Sequence, residues 1–500
     1  MQTSGTLVIG DLMEQSGVGF GTSGARGLAA DMTDAVCYAY TAGFLGHMQA
    51  AGLARPGGRV ALAGDYRPSS PRILAACARA VRDQGFEPLN CGDIPTPTLA
   101  NYGLRQDIPS LMVTGSHIPD DRNGIKFNRP DGEILKADEA AIRARTVTLP
   151  KDLFTPDGAF AAGVDPGLPP ATREAYEAYL ARYLEFFPRD CLAGARIGLY
   201  EHSSVAREAL YEILTGLGAE VTRLGRSEVF IPVDTEAIRP EDVDLARRWA
   251  GDGAFDCLVS TDGDGDRPLV SDERGEWLRG DIAGILCARY LGAQGVVTPV
   301  SSNSALERSG WFPRVLRTRI GSPYVIEGMQ RLVQEGLAPV VGYEANGGFL
   351  TATAIRHQDR ELPPLPTRDA TIVALAILLL ARARDTAVSG LAADLPQRFT
   401  ASDRIKAFPQ ELARERLAAF ASGDPAADKA AVEAAFGKAF GRVQDIDLTD
   451  GVRITFIDGD VLHLRPSGNA PELRAYTEAA SPQRAREMNR TAIEIMAGWR

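Results

Sequence analysis

The sequence predicts a multidomain α/β protein that ends in an α+β domain. The prediction rests on a strand–helix–strand pattern that recurs three times in the 500 residues, and on a change of pattern in the last hundred. The first unit runs from a strand at Val60 to Ala63 through an alanine-rich helix, Ser70 to Gln84, to a strand at Phe86 to Cys91. The second has a strand at Arg196 to Tyr200, a helix at Ser204 to Leu217 with apolar residues at helical spacing, and a strand at Glu220 to Leu224. The third is looser: Val296 to Pro299, a helix around Tyr324 to Gln334, and Ala338 to Val341. Beyond it come helical stretches at Gln410 to Phe420 and Ala426 to Phe436, then short strands around Gly451 to Ile457 and Val461 to Leu464. Pro/Gly-rich stretches at 165–170, 275–280 and 390–396 set expected domain limits at 1–165, 166–278, 279–393 and 394–500.

Composition narrows the function classes. A hydrophobic fraction of 45% and a charged fraction of 24% are those of a water-soluble folded protein. The six cysteines are scattered without a C-x-x-C pair, as expected in a reducing compartment. The first residues lack the basic and apolar regions of a signal peptide, so a cytoplasmic location is expected. The apolar run Thr371 to Ala381 is about half of the roughly 20 residues a membrane span needs, and reads as a buried helix. A net charge of −11 without a basic cluster argues against nucleic acid and leaves anionic substrates to be met by local positive sites.

Four loops carry chemistry. In Val113-Thr-Gly-Ser-His-Ile-Pro119, Ser116 sits on a strand-exit turn between Gly115 and Pro119, where a hydroxyl can be presented, although an ordinary polar turn has the same composition. Ser260-Thr-Asp-Gly-Asp-Gly-Asp-Arg267 alternates carboxylates with glycines, so Asp262, Asp264 and Asp266 can offer oxygens to one hard cation such as Mg²⁺. A calcium EF-hand is excluded because Arg267 stands where its sharp turn needs glycine and strands flank the loop. Val341-Gly-Tyr-Glu-Ala-Asn-Gly-Gly348 presents Glu344 and Asn346 two residues apart, a spacing suited to neighbouring sugar hydroxyls. Leu464-Arg-Pro-Ser-Gly-Asn-Ala-Pro471, with Arg474 beyond it, collects an arginine, a hydroxyl, an amide and a glycine, the parts of a phosphate cradle. Near the start, Gly19-Phe-Gly-Thr-Ser-Gly24 matches G-x-G-x-x-G but lacks the acid about twenty residues on, and suits a loop offering Arg26 to an anion.

Together these loops resemble the α-D-phosphohexomutases, the phosphoglucomutase and phosphomannomutase family, over nearly the whole chain. FGTSGARG, TGSHIP with NGIK, DGDGDR, GYEANGG and RPSGNAP stand in the family's order. The resemblance implies four domains around a central cleft, three α/β and a smaller α+β domain. It implies an intramolecular phosphotransferase that moves phosphate between C1 and C6 through phosphorylated Ser116 and a hexose 1,6-bisphosphate. Asp262, Asp264, Asp266 and Ser116 would hold Mg²⁺, with Arg26, His117, Lys126 and Arg267 around the transferring group. Lys126 is the preferred general acid/base and His117 the alternative. Glu344 and Asn346 would contact sugar hydroxyls, and Arg465, Ser467, Gly468, Asn469 and Arg474 the other phosphate. Phosphomannomutase is the favoured activity, with glucose phosphates as possible further substrates and phosphoglucomutase or phosphoglucosamine mutase as alternatives. A monomer or homodimer without nucleic-acid or membrane partners is expected.

The chain departs from the family pattern in three places. The serine loop commonly reads TASHNP, so Gly115 and Ile118 are substitutions. The sugar loop usually has serine at the position of Asn346 and often histidine at Gly348. The phosphate loop usually has threonine and glutamate at Asn469 and Ala470. A serine-dependent metal phosphatase usually adds clustered histidines, whereas the five here are dispersed. A catalytically silent sugar-phosphate binder finds support only in the altered sugar and phosphate loops.

Overall fold

The computed structural model describes residues 3–21, 24–251, 253–467 and 471–500. Four larger sheets follow one another along the chain. The first orders its strands Gly19–Phe20, Gly24–Leu28, Arg122–Arg129, Ser110–Val113, Arg59–Gly64 and Glu87–Asp93, with Gly132–Glu133 paired on the side. The second is Glu220–Leu224, Arg196–Tyr200, Cys257–Thr261, Pro268–Val270, and the third Arg314–Thr318, Gly295–Pro299, Val340–Tyr343, Phe349–Thr351. The last is fully antiparallel: Phe399–Lys406, Glu472–Ala479, Val461–Pro466, Val452–Phe456, Val443–Asp447.

One device recurs in the first three sheets. Ser110–Val113 pairs parallel with Arg59–Gly64 and antiparallel with Arg122–Arg129, the strand that follows it. Cys257–Thr261 stands in the same way between Arg196–Tyr200 and Pro268–Val270, and Val340–Tyr343 between Gly295–Pro299 and Phe349–Thr351. The loops carrying Ser116, the three aspartates and Glu344 are therefore the hairpins at the carboxyl ends of these strands, where open α/β sheets gather their binding groups.

The helices follow from apolar spacing and caps. Ser70–Asp83 buries Ile73, Leu74, Cys77 and Val81 and starts with proline in its first turn. The apolar run forms Ala370–Ala383, buried from Ala370 to Ala381 and capped by the Asp369 carboxylate, which accepts from Thr371 N at 3.0 Å. No helix among the described residues is long and apolar enough to cross a membrane.

The strand readings of the first two units hold to within two residues. The third unit differs, because Arg314–Thr318 is an additional strand between the two the sequence suggested. Its residues are only half-buried and rich in arginine, so no apolar pattern announces it. Phe399–Lys406 and Glu472–Ala479 also escaped the sequence reading. The first is a half-exposed edge strand that mixes polar with apolar residues, and the second begins just after the phosphate loop.

Candidate active site

Ser116 lies on the hairpin after Ser110–Val113 with φ at 58°, a left-handed conformation unusual for a residue with a side chain. The turn is over-determined: Ser116 N donates to Thr114 Oγ1 (2.8 Å), and Thr114 Oγ1 in turn donates to Asp65 Oδ2 (2.7 Å). Arg67, fully buried, pairs with Asp65, donates from Nη2 to the Ser116 carbonyl (3.1 Å) and to the Ile118 carbonyl, and stacks on Phe230 at 4.0 Å. Gly115 is where this guanidinium passes, since a Cβ there would lie 2.8 Å from Arg67 Cζ. The departure at Gly115 thus matches a close approach.

The aspartate hairpin faces this turn from the second sheet. Ser116 Oγ donates to Asp262 Oδ2 at 2.6 Å, and Asp262 Oδ1 accepts from the backbone N–H groups of Asp266 and Arg267, each at 3.2 Å. Asp264 accepts from Thr96 Oγ1, and the Thr96 amide donates to the Asp264 carbonyl at 2.9 Å. Lys126 Nζ donates to Asp264 Oδ2 and Asp266 Oδ2, both at 2.6 Å. All three carboxylates are buried, and one oxygen of each lies within 4.8 Å of the others. The Oδ1 atoms of Asp264 and Asp266 are buried and accept no hydrogen bond from the protein. Paired orphan oxygens of this kind fit a hard divalent cation.

The charges respond to this crowding. Burial, then Asp264 and Asp266, push the Asp262 carboxyl well above its ordinary value, a direction that a divalent cation among the three would reverse. Burial acts on Asp266 in the same sense, but Arg368, Lys126 and Arg267 outweigh it and hold the carboxyl below the usual range. Burial likewise works against the Lys126 charge, yet Asp264 and Asp266 prevail and raise its pKa. His117 is the opposite case. Burial and Arg267 bring it down to about 3, so its imidazole is neutral, and Nδ1 accepts from Arg267 Nη1 at 2.8 Å and lies 3.3 Å from Ser116 Oγ. Arg26 is lowered to about 10 by burial and by Arg267, and lines one small pocket with Ser116, Lys126, Arg267 and Arg368.

Arg368 is the residue that the sequence analysis missed. Its Nε donates to Asp266 Oδ2 (3.0 Å) and its Nη1 to Glu344 Oε2 (3.2 Å), joining the aspartate and sugar hairpins. It also accounts for the departure at Gly348, where a Cβ would fall 2.5 Å from Arg368 Cδ. Arg67, Thr96 and Arg368 come from segments outside the motifs, and no local sequence pattern marks them. Asn346 turns its Oδ1 back to accept from Gly348 N (2.9 Å), and its carbonyl accepts from Thr235 Oγ1 (2.8 Å).

The phosphate loop stands apart from the Ser116 pocket. Arg465 and Ser467 line a separate depression on the last sheet, Arg465 Nε donating to Asp450 Oδ1 at 2.9 Å. Gly468 and Asn469 lie outside the described residues. Strand register sets Arg474 between Arg404 and Arg465, three guanidiniums in one cross-strand row. Glu472 pairs with both Arg404 (3.4 Å) and Arg474 (3.1 Å), which offsets part of the like-charge repulsion, and Arg474 Nε remains buried without a hydrogen-bond partner.

Comparison with known proteins agrees with this geometry. Family models described as phosphoglucomutase/phosphomannomutase alpha/beta/alpha domain I, alpha/beta/alpha domain III and C-terminal domain match residues 17–151, 279–399 and 417–494. A phosphomannomutase of Sinorhizobium fredii is 44% identical over 477 residues, 95% of this chain and 98% of that one. A phosphomannomutase of Salmonella muenchen is 43% identical over 486 residues, 97% of this chain and 96% of the relative. Among solved structures, a phosphoglucomutase/phosphomannomutase family protein from Burkholderia thailandensis shares the fold with a TM-score of 0.71 at 18% identity, covering 96% of each chain. With matches running nearly end to end and a serine hydroxyl bonded to a buried triad of aspartates, the chain belongs to the phosphoglucomutase and phosphomannomutase family and is an intramolecular phosphotransferase.

Proposed function

We propose that the chain is a magnesium-dependent phosphomannomutase that interconverts mannose 6-phosphate and mannose 1-phosphate through phosphorylated Ser116 and mannose 1,6-bisphosphate. The single observation that carries the chemistry is the 2.6 Å contact between Ser116 Oγ and Asp262 Oδ2 within a triad that keeps two buried carboxylate oxygens free. The substrate rests on the two phosphomannomutases that are 43–44% identical over nearly the whole chain.

In the first half-reaction the free hydroxyl of the sugar phosphate attacks the phosphorus on Ser116. The new O–P bond forms as the Ser116 Oγ–P bond breaks, giving the bisphosphate. In the second half Ser116 Oγ attacks the other phosphorus of the reoriented bisphosphate and releases the isomeric monophosphate. Phosphoryl transfer leaves the protein chiefly to position the partners and to stabilise charge. Arg26, Arg267 and Arg368 surround the Ser116 pocket with permanent positive charge for the equatorial oxygens. Lys126 is the preferred general acid/base of the transfer, with His117, whose Nδ1 is held by Arg267 3.3 Å from Ser116 Oγ, as the alternative. Mg²⁺ bound by Asp262, Asp264, Asp266 and the Ser116 oxygen would supply further neutralisation of the transferring group. Glu344 and Asn346 would read the sugar, and Arg465, Ser467, Gly468, Asn469 and Arg474 the resting phosphate.

The test is a coupled assay with mannose 1-phosphate and glucose 1-phosphate in parallel, primed with the bisphosphate, with and without a chelator. Turnover that needs both Mg²⁺ and Ser116, and a higher kcat/KM for mannose, is expected. Activity surviving in Ser116→Ala would refute the phosphoserine route, and a preference for glucose would refute the substrate.

A further inference from the structure

Beside the sugar hairpin stands a carboxylate, Glu236, that none of the roles above uses. Residues 226–239, between Glu220–Leu224 and the helix Pro240–Ala250, form an irregular segment pinned at three points. Phe230 stacks on Arg67 beneath the serine turn at 4.0 Å. Ile231 N donates to Ser203 Oγ at 2.7 Å. Thr235 Oγ1 donates to the Asn346 carbonyl at 2.8 Å, which ties the segment to the sugar hairpin itself. Between these anchors Asp234 Oδ1 accepts from the N–H groups of Glu236 and Ala237, at 2.9 and 3.1 Å, and fixes a tight turn with Glu236 at its tip.

Glu236 is solvent-accessible, and its carboxylate makes no hydrogen bond or ion pair among the described residues, although Arg267, Arg279 and Arg474 are the nearest positive charges. It borders a recess with Ala345 of the sugar hairpin, Arg279, Ser302 and Tyr476. Tyr476 follows Arg474 by two residues on one strand, so it lies on the same sheet face as the row of arginines. The segment is thus anchored to the serine turn and the sugar hairpin, and Glu236 at its tip faces the arginine row. The recess that Glu236 borders therefore lies between Ala345 of the sugar hairpin and Tyr476 of the strand that carries Arg474.

We propose that Glu236 is a specificity-determining residue of the mutase, its carboxylate accepting a hydrogen bond from one ring hydroxyl of the hexose, a role that rests on the mutase activity proposed above. A carboxylate suits hydroxyls because it only accepts, and a sugar ring offers donors on every side. It also disfavours a third anionic group at that position, which suits a substrate whose charges lie at C1 and C6 alone.

The experiment compares the wild-type chain with E236A and E236Q on mannose 1-phosphate and on its 2-, 3- and 4-deoxy analogues, with thermal unfolding as the fold control. Losing a hydrogen bond to a charged acceptor is expected to lower kcat/KM about ten- to a hundredfold in E236A. That loss should vanish on the one deoxy analogue that lacks the partner hydroxyl, because the pair is then already broken. E236Q, which keeps one amide oxygen, should fall between the two. Losses that add on every analogue, or unchanged kcat/KM in E236A, would overturn the role of Glu236 while leaving the mutase reading intact. A wild-type chain inactive on every hexose phosphate would overturn both.

Discussion

Replacing Arg67 by methionine should damage both the stability and the chemistry of the site, though Arg67 contacts no reacting atom. Its side chain is wholly buried and paired with an equally buried Asp65, and it donates to two carbonyls of the serine turn, those of Ser116 and Ile118. Methionine keeps the unbranched stem but not the guanidinium, so it leaves a buried carboxylate short of its counter-charge and two carbonyls without a donor. Breaking one side of a buried ion pair costs about 3–5 kcal/mol. Here the lower end is expected, because Asp65 keeps donors from Ser70 Oγ (2.6 Å), Thr114 Oγ1 (2.7 Å) and the backbone of residue 67 (3.1 Å). The activity loss follows from geometry. Ser116 holds a positive φ only while its carbonyl is tied down, and a shift of about 1 Å in a reacting group costs on the order of a hundredfold in rate. Urea denaturation followed by circular dichroism gives the first quantity, and kcat/KM of the primed mutase the second. Mass spectrometry of Ser116 after incubation with the bisphosphate reports whether the turn still accepts phosphate. If R67M kept kcat/KM within about threefold of wild type, well under 1 kcal/mol of transition-state energy, the inference that Arg67 sets the serine turn would be wrong.

Gly348→His should push Arg368 off Asp266 and Glu344, lowering kcat/KM about tenfold or more, and combining it with R368A should add little, as a double-mutant cycle would register. Lys126→Met should lower kcat by about 10²- to 10⁴-fold, measured with saturating bisphosphate primer, because the preferred general acid/base and its ion pairs with Asp264 and Asp266 are lost together. Stability should decline in mild acid. His202 and His463 are buried and brought down to about 4, chiefly by burial, while in the unfolded chain they take up protons near 6.5. Between those values the unfolded state binds more protons, so their contribution is complete above about pH 6.5 and is lost as pH falls toward 4. At pH 5 each should cost about 2 kcal/mol. Urea midpoints at pH 7 and pH 5 check this, and H202N or H463N should flatten the dependence.

Much of this site was legible because its chemistry is local in sequence. Alternating aspartates and glycines, or a serine between glycine and a histidine-isoleucine-proline run, can be read in a window of eight residues, and the hairpins they form keep those residues together. The strands Arg196–Tyr200 and Glu220–Leu224 were readable for the same reason, being short apolar-bearing runs bounded by turns. What could not be read depends on contacts across the chain. Arg368 reaches Asp266 over 102 residues and Arg67 reaches Ser116 over 49, and neither sits in a pattern that distinguishes it from the other arginines. Glu236 is likewise an ordinary acid in an irregular stretch until Thr235 and Phe230 fix where that stretch lies. The arginine row of the last sheet was hidden because it exists only across strands, and its first member lies on an edge strand whose half-exposed, mixed residues read as loop.

The recurrence of one hairpin device explains how separate sheets can hold one reaction centre. A loop between a strand and its antiparallel neighbour is closed at both ends by ladder hydrogen bonds, so it has far fewer conformations than a loop leading into a helix. On the last sheet the strands Val461–Pro466 and Glu472–Ala479 are likewise antiparallel neighbours. Such loops suit phosphoryl transfer, where the protein contributes position and charge more than bonds. The cross-links then run between hairpins: Ser116 to Asp262, Lys126 to Asp264 and Asp266, Arg368 from Asp266 to Glu344, and Thr235 to Asn346. Together these links tie the Ser116, aspartate and Glu344 hairpins of three sheets into one connected network. The arginine row on the last sheet carries no such link to the Ser116 pocket among the described residues. That division fits the proposed reaction, in which the bisphosphate turns end for end: the cross-linked hairpins would hold the bond-making centre, while the proposed site for the resting phosphate lies on a sheet of its own.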